Sequence, residues 1–194
     1  MSSVRQCRLP LLIAAALAAF ACGAPPEKEM HQAQGAIDAA RAAGADQYAH
    51  EEFAAAEDAL KHAHEAVDER DYRLALNHAL DSLEHAQNAA REAVDGKATA
   101  RSDADRAIAD ATAALNAARA SLKTGETARV PARTLVQARR VIAAGDEGLQ
   151  KARAAFGRGD YRGAAGSMVG VTPRLLATAH DLDAAAAPAA KRRR

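Results

Sequence analysis

The stretch FAAAEDALKHAHEAVDERDYRLALNHALDSLEHAQNAAREA, residues 53–93, decides how the chain is read. Phe53, Leu60 and Val67 stand seven apart, with Ala56 and Ala63 between them. That 3–4 spacing lines one helical face and is the pattern of a helix packed along a seam. Arg70-Asp71-Tyr72 then interrupts it, and a second periodic run begins at once. Asp71 predicts an N-cap, and so short a turn requires the two helices to lie antiparallel.

The same unit returns further along. Ala63, Ala66, Asp71, Tyr72, Arg73 and Ala75 map onto Ala152, Ala155, Asp160, Tyr161, Arg162 and Ala164 at an offset of 89. Upstream, Phe53, Ala56 and Leu60 fit Leu135, Ala138 and Ile142 at an offset of 82. The two offsets differ by seven, so the second copy reads as lengthened by two helical turns with its buried face preserved. The expected fold is all-α: antiparallel helical hairpins or an elongated bundle, with two diverged helix–turn–helix repeats and a long central helix. Asp71, Tyr72, Asp160 and Tyr161 read as structural turn residues, each tyrosine packing over its turn with a wet hydroxyl.

Composition agrees. Hydrophobic residues make up 49% of the 194, and most of these are alanine; there is no Trp, and Phe and Tyr number three each. Alanine forms helix best because it loses no side-chain entropy, but it buries little area. Such a core is thin and depends on close backbone approach. Setting aside Arg5, Arg8 and residues 191–194 leaves 20 basic against 25 acidic side chains, a balance of −5. No basic face is present, and a nucleic-acid partner is excluded on that ground.

The remaining helices follow from periodicity and punctuation. A first helix is expected over 27–43, with Ala33, Ile37 and Ala40 inside and Gly44 ending it. The second runs from about Gln47 to Arg70. The third carries Leu76, Leu83 and Ala90 on one seam position and Leu80 and Val94 on the other. Its register stays unbroken to Ala118 and Leu122, so one helix is expected through Asp95-Gly96, reaching roughly 75 Å. The alternative is a break at Gly96 with Ser102 capping a new helix. Thr124-Gly125-Glu126 ends it, and Pro131 suits the first turn of the fourth. Leu135, Ile142, Leu149 and Phe156 line that fourth helix, which Gly145 and Gly148 weaken locally. The fifth starts at Asp160, carries Tyr161, Met168, Leu175 and Leu182, and is expected to kink near 169–173 at Pro173. A basic tail, disordered at its end, follows Asp183. The domain reading is a leader over 1–21, a tether over 22–30, a helical region over 31–124, a second hairpin over 125–185 and the tail over 186–194.

The leader has a short positive region, an apolar run from Leu11 to Ala21, and small residues before Cys22. It reads as an export signal, too short to span a bilayer comfortably. Its end, Leu17-Ala18-Ala19-Phe20-Ala21-Cys22-Gly23, resembles the lipobox of bacterial lipoproteins, with Ala19 where that family prefers Leu. The resemblance implies lipidation of Cys22, including palmitate, and Gly23 after it resembles lipoproteins sorted to the outer membrane, facing the periplasm. The alternative is an ordinary cleaved signal. Cys7 leaves with the leader, so the mature chain has no disulfide to draw on.

Together with this leader, Gly44-Ala45, Tyr48-Ala49, the Ala56…Leu60…Ala63 stripe, Asp71-Tyr72 and Ala75…Ala79 resemble an envelope lipoprotein family, catalogued as domain of unknown function 4398. The resemblance covers roughly residues 30–95 and, more weakly, 131–183; it departs from the family at His50, where proline is usual. The family has no established activity, so the resemblance implies address and shape.

Chemistry is sparse. There is no Gly-rich phosphate loop, no clustered carboxylate pair, and no Ser paired with His. No catalytic residue, cofactor or metal site is assigned. His64 and His78, seven residues on either side of Asp71, are predicted to face each other across the hairpin, with His62, Asp81 and His85 near their level. They are the residues a zinc or copper ion would use. Arg158-Gly159-Asp160 reads as a turn and not as an adhesion motif. Lys191, Arg192, Arg193 and Arg194 could bind an anionic surface. The leading reading is a lipid-anchored, non-enzymatic helical spacer or adaptor of the bacterial envelope. Its partners would be the membrane through the lipid, an envelope protein or peptidoglycan, and a second copy of the chain along coiled-coil seams. The alternative is a periplasmic ligand-binding module, a histidine-bearing metal or small-molecule chaperone.

Overall fold

A computed structural model describes residues 24–191. The chain is all-α there: α1 (Glu27–Ala43), α2 (Ala45–Tyr48), α3 (His50–Asp68), α4 (Tyr72–Thr127), α5 (Ala132–Gly157), α6 (Tyr161–Met168) and α7 (Val171–Lys191), with no strand among the described residues. Two compact units divide at Gly96 and Lys97, inside α4. The expected leader and Cys22, the residue expected to be lipidated, lie outside the described residues, as do Arg192, Arg193 and Arg194.

In the first unit, α1 buries Met30, Ala33, Ile37 and Ala40. It stops at Gly44, whose φ of 92° is left-handed and whose N–H returns to the carbonyls of Ala40 and Arg41. Glycine pays no Cβ penalty in that conformation. The single helix expected over 47–70 is two pieces. After the one-turn α2, Ala49 leaves helical geometry at φ −140°, and α3 starts at His50. Ala45 and Ala49 are both buried, so tertiary packing holds the break.

That break explains Gly96. A Cβ at Gly96 would stand 3.1 Å from the Tyr48 carbonyl oxygen and 3.2 Å from the Tyr48 Cβ. The glycine in the middle of α4 is therefore a point of close backbone approach. α4 runs through it as one helix of 56 residues, with no new start at Ser102.

The packing face of α4 differs from the expected seam by one residue. The buried series is Ala75, Ala79, Ser82, Ala86, Ala89 and Ala93, while Leu76, Leu83 and Ala90 are half-buried. Leu80 and Val94 are 46% and 60% exposed. Large side chains come from the other helices: Met30 and Ile37 from α1, Phe53 and Leu60 from α3. They seat against a stripe of alanines on α4 that lets the backbones approach. Ser82, fully buried, donates its hydroxyl to the Ala56 carbonyl at 2.8 Å, so the one polar group in the stripe is satisfied.

In the second unit the buried residues of α4 are Ala104, Ala111, Ala114, Leu115, Ala118, Ser121 and Gly125. The 75/82/89 series has given way to 104/111/118. A shift of one position over about four heptads is the drift that 3.6 residues per turn accumulates against a strict seven-residue repeat. Ala111, Ala114, Leu115 and Ala118 pack with Ile142, Leu149 and Ala152 of α5, Met168 of α6 and Leu175 and Ala179 of α7. Gly145 is buried in α5, and a Cβ there would lie 2.8 Å from Leu175 Cδ2. It forms a socket for that leucine, which is a stronger role than the local weakening its sequence suggests.

The kink expected near 169–173 is an interruption: α6 ends at Met168 and α7 begins at Val171. Pro173 falls in the first turn of α7, where its missing N–H has no helical partner to lose. The chain after Asp183 is helical to Lys191 and still buries Ala186, so the helix runs into the stretch that composition assigns to the tail. Alanine's helix propensity favours this extension.

Candidate functional site

The two hairpin turns are built alike. Asp71 N–H donates to the Ala66 carbonyl at 2.9 Å and Arg70 N–H to that of Val67 at 2.9 Å; Asp160 and Gly159 make the corresponding bonds to Ala155 and Phe156 at 3.0 and 2.9 Å. This pair of bonds closes the helix end as a Schellman motif. The next helix is then capped: the Asp71 carboxylate accepts from Leu74 N–H at 3.0 Å, and that of Asp160 from Gly163 N–H at 2.9 Å. Tyr161 packs edge-on against Phe156, ring centroids 5.1 Å apart, and Tyr72 is half-buried at its own turn. Arg158-Gly159-Asp160 is this turn.

Five of the seven histidines sit on the first hairpin, and the structure places those near its turn differently from the expected pairing. His78 on α4 meets His62 on α3, with ring centroids 5.5 Å apart and planes tilted by 42°. His64 lies two residues further on, about 200° around the helix. It lines the groove between α1 and α3 instead, with Gln34, Ile37, Arg41 and Glu57. His62 and His64 compete for the same level of the hairpin, and helical phase decides between them. The signal for His62 was present in sequence as Glu65, three residues on, whose Oε2 stands 3.0 Å from His62 Nδ1.

Glu65 on α3 faces Lys61 and His62 of its own helix. The hydrogen bond with His62 holds its carboxyl below the ordinary carboxylate value, with the charges of Lys61, His62 and His78 acting in the same sense. Across the hairpin, His85 Nδ1 meets Glu52 Oε2 at 2.8 Å, tying α4 to α3. His180 is an exposed side chain on α7 beside Asp181. Among the described residues no three His, Cys, Asp or Glu side chains converge as a complete ligand set.

The groove between α1 and α3 measures about 380 Å³. Arg41 crosses it to Glu57 at 2.6 Å, contacts Asp38 on its own helix at 3.2 Å, and lies over the Phe53 ring at 5.2 Å. These contacts clamp α1 onto α3. In the second unit a groove of about 290 Å³ between α5 and α7 is lined by Arg133, Gln137, Val141, Thr178, Asp181 and Leu182. Both grooves are open and mixed in polarity, unlike the concave apolar cavities that enclose small ligands.

Lys191 closes α7; its side chain, like the rest of the basic tail, is outside what the structure describes. Among the described residues no helix is long and apolar enough to cross a membrane. Residues 28–105 match the model of a family described as a domain of unknown function, number 4398. The matched segment covers the first unit and the start of the second, and ends before the second hairpin. Neither the curated proteins nor the solved structures contain a match to this chain.

Proposed function

We propose that this chain, whose residues 28–105 match the model of a domain of unknown function, is a lipid-anchored, non-enzymatic helical spacer or adaptor of the bacterial cell envelope. The observation that carries it is the Leu17-Ala18-Ala19-Phe20-Ala21-Cys22 leader placed ahead of an all-helical body. Cys22 would take the acyl groups, and each buried methylene contributes roughly 0.8 kcal/mol of membrane affinity. The anchored chain would sit on the outer membrane and face the periplasm.

The helix faces supply the adaptor surface. Leu80 and Val94 on α4 and Leu176 on α7 expose apolar area outside the packed seams. An envelope protein, peptidoglycan or a second copy of the chain is the partner class that such faces would meet. The Lys191–Arg194 tail would add attraction to an anionic surface, about 1 kcal/mol per charge near the lipid. The non-enzymatic reading rests on the absence from the sequence of a phosphate loop, a thiol in the mature chain, or a paired nucleophile and base.

Radiolabelled palmitate tests the anchor. Incorporation in the native chain and its loss in Cys22→Ala is the expected result; equal labelling of both, or of neither, contradicts it. A pull-down from envelope extracts tests the adaptor role, and recovery of no protein or wall partner would count against it.

A further inference from the structure

We infer that His62 and His78 form a two-imidazole site for a divalent transition-metal ion of the zinc type, joining α3 to α4. The site stands on the first hairpin alone and does not depend on whether Cys22 carries lipid.

Two independent observations carry it. The first is spacing. The ring centroids are 5.5 Å apart on opposite arms of the hairpin. A ring nitrogen sits about 1.1 Å from its centroid and binds zinc at about 2.0–2.1 Å, so two imidazoles on one ion bring their centroids to roughly 5–5.5 Å. The observed separation of 5.5 Å is thus at the upper end of what a shared ion requires, and side-chain rotation within the hairpin would bring the two nitrogens onto it. The second is orientation. His62 Nδ1 is 3.0 Å from the Glu65 carboxylate, which only accepts. In the neutral imidazole this contact places the proton on Nδ1 and leaves Nε2 its lone pair. A carboxylate on the far nitrogen is how metal-binding imidazoles are oriented and made more basic. Lys61 Nζ lies 3.8 Å from the other oxygen of the same carboxylate, which helps hold it in place.

Access is open. The His62 side chain is 56% exposed and His78 is half-buried. Two nitrogen donors leave further positions on the ion for water, or for a donor from a molecule docked on the hairpin. The coordination is thus of the open kind, unlike the four-ligand sites that hold small folds together. Its consequence is a clip between α3 and α4 beyond the Asp71 turn.

The test is a zinc chloride titration of the detergent-solubilised full chain, stripped of metal with EDTA. Calorimetry reads stoichiometry, and imidazole nitrogen NMR shifts read which rings respond. The expected result is one saturable ion per chain, with shifts at His62 and His78. His62→Ala or His78→Ala should weaken binding at least tenfold, and Glu65→Gln by about tenfold. His64→Ala should leave it unchanged, and helical circular dichroism should be the same in all four variants. No saturable heat, retained affinity in His62→Ala or His78→Ala, or an equal loss in His64→Ala would overturn the inference.

Discussion

The two units solve the same packing problem with different materials. In the first, ten of the fourteen residues of the buried cluster are alanines, and only Met30, Ile37, Phe53 and Leu60 are large. In the second, five of ten are large: Leu115, Ile142, Leu149, Met168 and Leu175. Where side chains are small, backbones must come close, and a glycine appears at the tightest place. Gly96 admits the Tyr48 backbone in the first unit. Where side chains are large, a glycine makes room for one of them, as Gly145 does for Leu175. The turns differ in the same economical way. The left-handed residue is Arg70 (φ 62°) in the first hairpin and Gly159 (φ 83°) in the second. A third turn, between α4 and α5, again uses an arginine, Arg129 at φ 59°.

The largest expected effect comes from removing a large side chain where few exist. Phe53→Ala should cost the first unit about 3–5 kcal/mol. Amide hydrogen exchange should show lost protection over α1, α3 and the first half of α4, with the second unit's own contacts intact. Uniform loss across both units would erase the distinction between them.

Filling the glycines comes next. Gly145→Val and Gly96→Val should each destabilise their own unit by about 1–3 kcal/mol, through overpacking against Leu175 and against the Tyr48 backbone. Pairing Gly145→Val with Leu175→Ala should recover part of the loss in the second unit, because the neighbour there is a side chain. No single side-chain truncation should rescue Gly96→Val, whose neighbour includes a carbonyl. Urea denaturation of these variants checks this contrast.

The turns give the smallest effect. A non-glycine residue in the left-handed region costs about 1–2 kcal/mol, partly offset by the lower entropy of its unfolded chain. Arg70→Gly should therefore stabilise the first hairpin by about 0.5–1 kcal/mol, and Gly159→Arg should destabilise the second by a similar amount. Thermal melts that moved in the same direction for both exchanges would mean that the turns are not equivalent.

Much of this was legible in the residues. The Gly44 stop, the Asp71 and Asp160 caps and the interruption near Pro173 follow from local chemistry. The seven-residue difference between the two offsets reappears as the lengths of α3 and α5, 19 and 26 residues. The rest depended on tertiary contact. Periodicity favours the larger of two adjacent series, so Leu76, Leu80 and Leu83 read as the seam, whereas close approach selects Ala75, Ala79, Ser82 and Ala86. Nothing local marks Ala49 as a break. Gly96 reads as a flaw until Tyr48 is seen against it. His62 displaced His64 because a two-residue step turns a side chain to the other side of its helix, and only the packed face of α3 shows which side meets α4.

The claim beneath these points is that the alanine stripe of α4, and not its leucines, is the surface on which the first unit closes. Urea denaturation of Ala86→Leu beside Leu80→Ser tests it most directly. Ala86 is fully buried and Leu80 is 46% exposed, so the account predicts a loss of about 1–3 kcal/mol for the first and a change within about 0.5 kcal/mol for the second. The reverse order, with Leu80→Ser the more damaging, would contradict it.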